Sequence, residues 1–332
     1  MTTPIDQEPL VALADVRAAA ERLRGRVVRT PLVPFATADP DRPLWLKPES
    51  LQPTGAFKLR GAYNAILQRL DEARDHGLVT HSSGNHARAV AWVARDLGLR
   101  ATIVMPDAAP ENKVKRVRAL GAEVVIVPPD ELIEHTEQLS ATHGFLMVPP
   151  FDNAAVVAGQ GTAGLEVVED LPDVGAVLVP VGGGGLIAGV ATAVKTLSPS
   201  TLVVGVEPEL AGDVAESFRR GQRVEWTAAD TYRTMADGLR STCVGAVPWR
   251  QIIRYVDDIV TVAEDEIHDA LRILAGDARL IAEPSGAVTT AAYLHHAGQL
   301  PTTGRFVAIV SGGNVAPEVF ARLVLESPRT GG

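Results

Sequence analysis

The sequence predicts an α/β fold with two open, twisted, mostly parallel sheets flanked by helices. Short β-branched runs alternate with amphipathic helical stretches from Gly77 onward, and a second alternating series follows Phe151. Glycine- and serine-rich loops come directly after several of these strands. Such alternation is typical of a parallel sheet, because parallel neighbours need a crossover connection that is usually a helix.

The first series alternates strand and helix periodicity and reads, in chain order, LVTH, HARAVAWVARDLG, ATIVM, ENKVKRVRALG, EVVIV, ELIEHTEQLSATHG and FLMV. Its helices are predicted to end at Gly98, Gly121 and Gly144, since glycine is the usual C-terminal stop. A further helix is predicted over residues 12–24, beginning near Asp15.

The second series consists of AVLVPV, LIAGVATAVKTL, TLVVGVE, IVTV, EDEIHDALRILAG and FVAIV. We therefore predict a small domain, residues 80–148, inserted into a large domain formed by residues 1–79 and 149–332. The loops HSSGNH, GGGG and SGGN each follow a strand. Open α/β sheets bind ligands at the carboxyl ends of their strands, so the three loops predict one crevice between the domains.

Composition limits the classes of partner and the compartment. The net charge of −9 argues against nucleic acid or an anionic membrane. Cys243 is the only cysteine, so no intrachain disulfide forms, which fits a reducing compartment. No apolar run approaches the roughly 18–20 residues of a membrane span, and residues 1–10 lack the features of a signal peptide. We expect a cytoplasmic protein.

Four successive glycines, Gly182 to Gly185, join a predicted strand to a helix. They expose consecutive backbone N–H groups at a helix N-terminus, which favours a phosphate. A tight turn for strand–helix packing is the simpler interpretation, but it needs fewer glycines. A loose dinucleotide-binding pattern is also satisfied by Gly183, Gly185 and Ala188, with Glu207 as the ribose-binding acid. A nicotinamide-dependent dehydrogenase therefore stays open as an alternative function, although one such pattern is weak support.

Lys58 follows an aromatic residue in a glycine-flanked turn that opens a helix. A surface lysine is the simpler interpretation, whereas desolvation there would lower the pKa of the amine and make it a nucleophile. The segment PTGAFKLRGA resembles the cofactor-lysine motif of fold-type II pyridoxal-phosphate (PLP) enzymes, specifically the threonine/serine dehydratase and serine racemase family. Seven further motifs match that family in order: HSSGNHA, GQGTAGLEV, PVGGGGLIAGV, GVEPE, ADGL, EPSGA and SGGN.

The resemblance implies a tryptophan synthase β-like fold, with PLP bound in the large domain as a Schiff base to Lys58, which also serves as the base at the substrate Cα. It implies contacts with the cofactor from these residues: Phe57 on the ring, Asn85 on the 3′-oxygen, Gly182, Gly183, Gly184, Gly185 and Leu186 on the phosphate, Ser311 at the pyridine nitrogen, and Gly238 and Glu283 along the remaining edge. It also implies substrate binding by Ser82, Ser83, Gly84 and His86, with Ser83 as the second catalytic group of a racemase. Asn85 as a helix cap, Ser311 as a plain turn residue and Glu283 as an exposed loop acid are the simpler alternatives.

Three positions match a divalent-cation site of serine-racemase-like members of the family. They are Glu207, Ala211 and Asp213, with two carboxylates and one backbone carbonyl. Such hard oxygen ligands suit Mg²⁺ or Ca²⁺. An acidic surface loop is the alternative.

The sequence departs from the family pattern at Arg88, where glutamine is common. An arginine that reaches the cleft would favour a more acidic substrate, but we expect an exposed helix residue.

The leading functional hypothesis is a lyase of amino-acid catabolism, a dehydratase that converts L-threonine or L-serine to a 2-oxo acid and ammonia. The alternatives are a serine racemase, with Ser83 as the acid on the opposite face, and a dehydratase of threo-3-hydroxyaspartate or phenylserine. A cysteine-synthase-like β-replacement enzyme is disfavoured by the HSSGNHA loop. The family also implies a homodimer.

Overall fold

The computed structural model of the protein describes residues 9–325. Residues 1–8 and 326–332 lie outside it, so most of the segment on which the signal-peptide expectation rests is not described. Within residues 9–325, no helix is both long and apolar enough to cross a membrane.

Residues 9–325 form ten strands, which group into two sheets. The strands are β1 (Val33–Pro34), β2 (Leu44–Pro48), β3 (Leu78–His81), β4 (Ala101–Pro106), β5 (Glu123–Val127), β6 (Leu146–Met147), β7 (Val174–Pro180), β8 (Leu202–Pro208), β9 (Asp258–Val262) and β10 (Arg305–Val310).

Fourteen α-helices lie in the same described part of the chain. They are α1 (Leu13–Leu23), α2 (Lys58–Gln68), α3 (Leu70–His76), α4 (Asn85–Leu97), α5 (Glu111–Arg118), α6 (Leu132–His143), α7 (Ala154–Asp170), α8 (Gly185–Leu197), α9 (Asp213–Arg220), α10 (Ala228–Thr231), α11 (Ala246–Tyr255), α12 (Glu264–Gly276), α13 (Pro284–His295) and α14 (Pro317–Leu325).

The larger sheet has the order β1-β2-β10-β7-β8-β9, and the smaller sheet has the order β5-β4-β3-β6. All neighbours are parallel except the β1–β2 pair. The central strands β7 and β10 are buried along almost their whole length, since helices cover both faces of the sheet. The predicted fold class is confirmed. The domain division stays a prediction, and the strands of the smaller sheet run from Leu78 to Met147.

Glycines allow the three helices α2, α7 and α8 to pack very closely. A Cβ on Gly189 of α8 would overlap the carbonyl oxygen of Val157 in α7, and one on Gly161 would come within 2.8 Å of the Gly189 carbonyl oxygen. Between α7 and α2, a Cβ on Gly159 would lie 2.7 Å from the Arg60 carbonyl oxygen. The GQGTAGLEV motif therefore sets the spacing of α2, α7 and α8, and the first residues of α2 and α8 belong to the loops that carry the candidate site.

Two predicted helix boundaries are wrong by a few residues. Helix α1 begins at Leu13, and Asp15 lies inside its first turn, where its carboxylate accepts a hydrogen bond from the Ala12 N–H at 2.9 Å. Helix α5 ends at Arg118 because the chain tightens there, with the Gly121 N–H donating to the Arg118 carbonyl at 2.9 Å.

Candidate active site

The loop after β10 contacts the loop that precedes α2 and, through Asn314, the start of α4. The loop after β7 packs on Phe151, next to the Pro150 carbonyl that Lys58 contacts. The Phe57 N–H donates to the Ser311 carbonyl at 3.0 Å, and Ala56 forms an isolated bridge with Gly312. The Glu283 N–H donates to the Gly312 carbonyl at 3.0 Å. The segment carrying Lys58 is therefore fixed to the SGGN loop of the larger sheet.

Lys58 is the first residue of α2 and is half-buried. Its Nζ donates to the Pro150 carbonyl at 2.7 Å and lies 5.1 Å from the centre of the Phe57 ring. Burial lowers the pKa of the Lys58 amine to about 8, because the charged form loses hydration and no carboxylate compensates for it. A substantial fraction of this amine is thus unprotonated and nucleophilic near neutral pH.

Helix α2 is anchored by a buried ionic network that begins two residues after Lys58. The Arg60 guanidinium contacts Glu49 at 2.8 Å and Glu166 at 2.7 Å, and all three side chains lie within the protein. Lys47 completes the network by donating to Glu166 at 2.6 Å. Bidentate pairing of a planar guanidinium fixes both distance and orientation, so the network holds the helix that carries the candidate nucleophile.

The glycine loop between β7 and α8 is fully buried. A Cβ on Gly183 would overlap the Phe151 ring, and Gly184 has a φ of +87°, so larger residues are excluded on that side. Five consecutive backbone N–H groups in this loop and the first turn of α8 have no hydrogen-bond acceptor within residues 9–325. They belong to Gly182, Gly183, Gly184, Gly185 and Leu186. Successive unpartnered donors at the start of a helix fit a phosphate group well.

Asn85 opens α4, but its side chain does not cap that helix. Its Nδ2 donates to Glu283 Oε1 at 2.5 Å, and its Oδ1 accepts from Asn314 at 2.8 Å. Glu283 is buried, which contradicts the alternative of an exposed loop acid. Burial, and secondarily the negative charge of Asp237, raises the pKa of the Glu283 carboxyl to about 7.

Ser311 and Gly238 converge on Ser285, in the first turn of α13. The Ser311 hydroxyl donates to the Ser285 carbonyl at 3.3 Å, and the Gly238 N–H donates to Ser285 Oγ at 2.8 Å. Ser311 is buried at the end of β10, while Gly238 is exposed. Phe57, Gly238, Glu283 and Ser311 thus belong to loops that are hydrogen-bonded to one another, and their role in a cofactor pocket stays a prediction.

The predicted substrate-binding residues Ser82, Ser83 and Gly84 form a half-buried loop at the N-terminus of α4, where a carboxylate is favoured. The Gly84 N–H donates to Ser82 Oγ at 3.1 Å. The His86 side chain is buried, and its Nε2 donates to the Val148 carbonyl at 2.8 Å. Burial, with a smaller contribution from the charge of Lys58, lowers the pKa of His86 to about 3, so the ring is neutral.

The expectation that Arg88 is an exposed helix residue is wrong. Arg88 is half-buried, and its guanidinium donates to Asn314 Oδ1 in the SGGN loop. Burial lowers the pKa of Arg88 from its ordinary value. The side chain therefore spans the cleft between α4 and the larger sheet.

Glu207 and Asp213 are buried together at the carboxyl end of β8. Glu207 accepts from the Ala215 N–H at 2.7 Å, whereas both carboxylate oxygens of Asp213 are buried without a partner in the described part of the chain. Burial raises the pKa of both carboxyls, that of Asp213 to about 7. Orphaned carboxylate oxygens beside a second carboxylate fit a hard cation, and the acidic surface loop considered as an alternative is not found. Residues 9–325 contain no group of three or more histidine, cysteine or acidic side chains arranged for a metal.

Some contacts in the site were not assigned from the sequence. The sequence indicates Asn314 only as part of the SGGN motif, and it predicts no role for Pro150 or Ser285. Pro150 contributes its backbone carbonyl, which every residue has, so the sequence contains no signal for this contact. The sequence signal at Arg88 is its replacement of glutamine, which raises an arginine in the cleft as an alternative but does not indicate Asn314 as its partner.

The fold and the site together define a PLP-dependent enzyme. Residues 23–312 match the family described as pyridoxal-phosphate dependent enzyme, and the chain belongs to this family. An L-threonine ammonia-lyase from Thermotoga maritima is 42% identical over 322 residues, which cover 95% of this chain and 78% of that protein.

Two solved structures are also similar. A threonine deaminase from T.th. has a TM-score of 0.85 and 42% identity, and covers 92% of this chain and 99% of its own. A serine racemase from Dictyostelium discoideum has a TM-score of 0.85 and 35% identity, with the same coverage. Within fold type II, the chain belongs to the threonine/serine dehydratase and serine racemase family, as its motifs predict.

Proposed function

We propose that the protein is an ammonia-lyase that dehydrates L-threonine, L-serine or both to a 2-oxo acid and ammonia. The observation that carries this proposal is a desolvated lysine amine at the start of α2, in a site that also contains a loop of unpartnered N–H groups. The similarity to a threonine ammonia-lyase and a threonine deaminase supports the substrate class.

Bound PLP supplies an electron sink for the bond that breaks at the substrate Cα. Lys58 would hold its aldehyde carbon, and the glycine loop with Leu186 would hold its phosphate. Asn85 would donate to the 3′-oxygen, and Phe57 would cover the ring. Ser311, rather than a carboxylate, would face the pyridine nitrogen, which moderates the sink and suits elimination of a β-hydroxyl.

Substrate would lie between the α4 N-terminus and Lys58. The loop of Ser82, Ser83 and Gly84, with the first turn at His86, would hold the carboxylate through N–H and hydroxyl donors. The amine of Lys58 would remove the Cα proton once substrate has displaced it. The β-hydroxyl would take up a proton and leave as water as the Cα–Cβ double bond forms. Hydrolysis of the released imine would then give the 2-oxo acid and ammonia.

A serine racemase is the second candidate, favoured by the structural similarity to the Dictyostelium enzyme. Ser83 lies in the carboxylate-binding loop and would donate a proton to the face of Cα opposite Lys58.

We further propose Mg²⁺ or Ca²⁺ at Glu207, Asp213 and the Ala211 carbonyl, a homodimer, and a cytoplasmic role in amino-acid catabolism.

The decisive experiment incubates the PLP-loaded protein with L-threonine, L-serine and L-threo-3-hydroxyaspartate while 2-oxo acid and D-amino acid are measured together. Oxo acid from threonine or serine without D-isomer supports the dehydratase. Substantial D-serine moves the assignment to a racemase. Hydroxyaspartate as the sole substrate, or no turnover of any of the three, overturns the proposal.

A further inference from the structure

A chain of hydrogen-bonded side chains crosses the cleft between α4 and the larger sheet. The Arg88 guanidinium donates to Asn314 Oδ1, and Asn314 Nδ2 donates to Asn85 Oδ1 at 2.8 Å. Asn85 Nδ2 then donates to Glu283 Oε1 at 2.5 Å. Arg88 and Asn85 belong to α4, whereas Asn314 and Glu283 belong to loops of the larger sheet.

The orientation of the Asn314 amide is fixed from two sides. Arg88 carries only donors, so it requires an oxygen opposite it. The Thr54 carbonyl can only accept, and it receives Asn314 Nδ2 at 2.8 Å. If the Asn314 amide were flipped, its N–H₂ group would face the donors of Arg88 and its oxygen would face the Thr54 carbonyl, so both hydrogen bonds would be lost.

The amide of Asn85 is constrained less strictly by Glu283. Its neighbour Glu283 is buried, and its pKa of about 7 means that the carboxyl is partly protonated near neutral pH. A protonated carboxyl donates as well as accepts, so Glu283 fixes the orientation of Asn85 only while it is ionised. The donor of Asn314 selects the orientation in which Asn85 Oδ1 faces Asn314 in both protonation states of Glu283.

With Oδ1 occupied by Asn314, Asn85 Nδ2 is directed toward Glu283 and one of its two hydrogens remains available. We propose that Arg88 and Asn314 are positioning residues that fix Asn85 as a donor, so that it presents N–H and not C=O to the 3′-oxygen of PLP. This inference rests on the proposed cofactor-binding role of Asn85. It gives Arg88 a role in cofactor binding that does not depend on an acidic substrate.

The test replaces the donor with Arg88→Met, a side chain of similar length without hydrogen-bonding groups. Two properties are measured: the dissociation constant of PLP, by titration of the apoprotein, and the balance of the absorption bands that report the protonation of the 3′-oxygen. We expect PLP to bind roughly tenfold more weakly, the effect of losing one hydrogen bond to a charged group. We also expect the absorption balance to shift toward the protonated oxygen.

Three further variants separate positioning from folding. Arg88→Lys keeps a side chain that only donates, and should restore most of both properties. Arg95→Met removes an exposed arginine from the same helix and should change neither. Asn314→Asp keeps an acceptor for Arg88 but cannot donate to Asn85, and should shift the spectrum as Arg88→Met does.

The outcomes also separate this inference from the proposed function. If the unmodified protein binds PLP through Lys58 but Arg88→Met changes neither affinity nor spectrum, the positioning role is wrong and the enzyme assignment stands. If Lys58→Ala binds PLP as the unmodified protein does, the proposed function itself is wrong. Should Asn314→Asp fail to fold, Arg88→Met decides alone.

Discussion

The amine of Lys58 shows how a single residue acquires reactivity from burial. Its charged form loses hydration at the start of α2, and the Pro150 carbonyl is the only hydrogen-bond acceptor found for it among the described residues. A carbonyl dipole compensates for this loss less than a carboxylate would, so the proton is held weakly. The same lysine on the surface would be almost fully protonated near neutral pH.

This environment predicts how capture of PLP by the apoprotein depends on pH. Only the unprotonated amine attacks an aldehyde, so the capture rate should rise with pH and level off above about 8, well below the ordinary lysine value of 10.5. Stopped-flow absorbance at constant ionic strength measures it. Lys58→Ala should show no such covalent capture at any pH. A rate that still rises steeply at pH 10 would contradict the buried-amine interpretation.

His86 makes stability depend on pH in a defined direction. Its pKa is about 3 in the folded protein against an ordinary value of 6.5, so the unfolded chain binds the extra proton. The contribution of the neutral His86 ring to the free energy of unfolding is therefore complete above pH 6.5 and is lost as the pH falls toward 3. Between pH 7 and 5 this residue alone should reduce the free energy of unfolding by about 2 kcal/mol.

Denaturant unfolding at both pH values, with saturating cofactor, measures this effect. His86→Gln retains a donor for the Val148 carbonyl but does not titrate, and should lose that part of the pH dependence. The exposed His76→Gln is the matched control and should retain it. Equal pH dependence in all three proteins would show that the His86 ring is not held neutral.

At the level of residues, the sequence predicts the groups whose chemistry depends on type and spacing, such as Lys58 and the four glycines. It does not predict the direction of hydrogen bonds between loops that are distant in the chain. Asn314 and Asn85 are 229 positions apart, and only the folded sheets bring their amides together. The orientation of each amide then depends on neighbours that no local pattern reveals.

Among the secondary-structure elements, α7 sets the spacing of α2 and α8, but its periodicity does not predict it. Its sequence AAVVAGQGTAGLEVVED is apolar around most of its circumference and contains three glycines. Such a helix lacks the one-sided apolar stripe on which helix prediction depends. Helices such as α4 and α12 can be predicted from a one-sided apolar stripe, whereas the buried strands β7 and β10 are indicated by short β-branched runs.

The close contact between α7 and α8 predicts a large effect of one added methyl group. Gly189→Ala would force the backbones of the two helices apart, and should reduce the free energy of unfolding by about 1–3 kcal/mol. Gly276→Ala adds the same methyl to an exposed helical glycine with nothing within 4 Å, and should leave stability unchanged or raise it by about 0.5 kcal/mol. Thermal and denaturant unfolding of both variants measures the difference.

Displacement of α8 should also move the glycine loop. Gly189→Ala is therefore expected to weaken PLP binding, while Gly276→Ala should bind PLP as the unmodified protein does. Equal stability and equal PLP affinity of the two variants would show that the helices have room to separate without disturbing the loop.

At the scale of the whole molecule, two sets of polar contacts cross the site between helices next to the smaller sheet and loops of the larger sheet. Lys113 of α5 pairs with Asp237 at 2.6 Å, directly before Gly238. The chain of Arg88, Asn314 and Asn85 forms the second link. Substrate must enter between these elements, so we expect the two units to move relative to each other during turnover.

The Lys113–Asp237 ion pair should help to hold the two units together across the site, and this effect should weaken as salt is added. Both side chains are partly exposed, at 30% and 40%, so the pair stabilises the closed arrangement by no more than about 1 kcal/mol. Lys113→Met should raise the KM for the amino-acid substrate roughly two- to fivefold with little change in kcat. Added salt should raise the KM of the unmodified protein toward that of the variant, because screening weakens an exposed pair. Lys115→Met is the matched control, since within residues 9–325 the ion pair of Lys115 is with Glu111 along the same helix. A KM that changes equally in both variants would mean that general charge, and not this contact across the cleft, governs substrate binding.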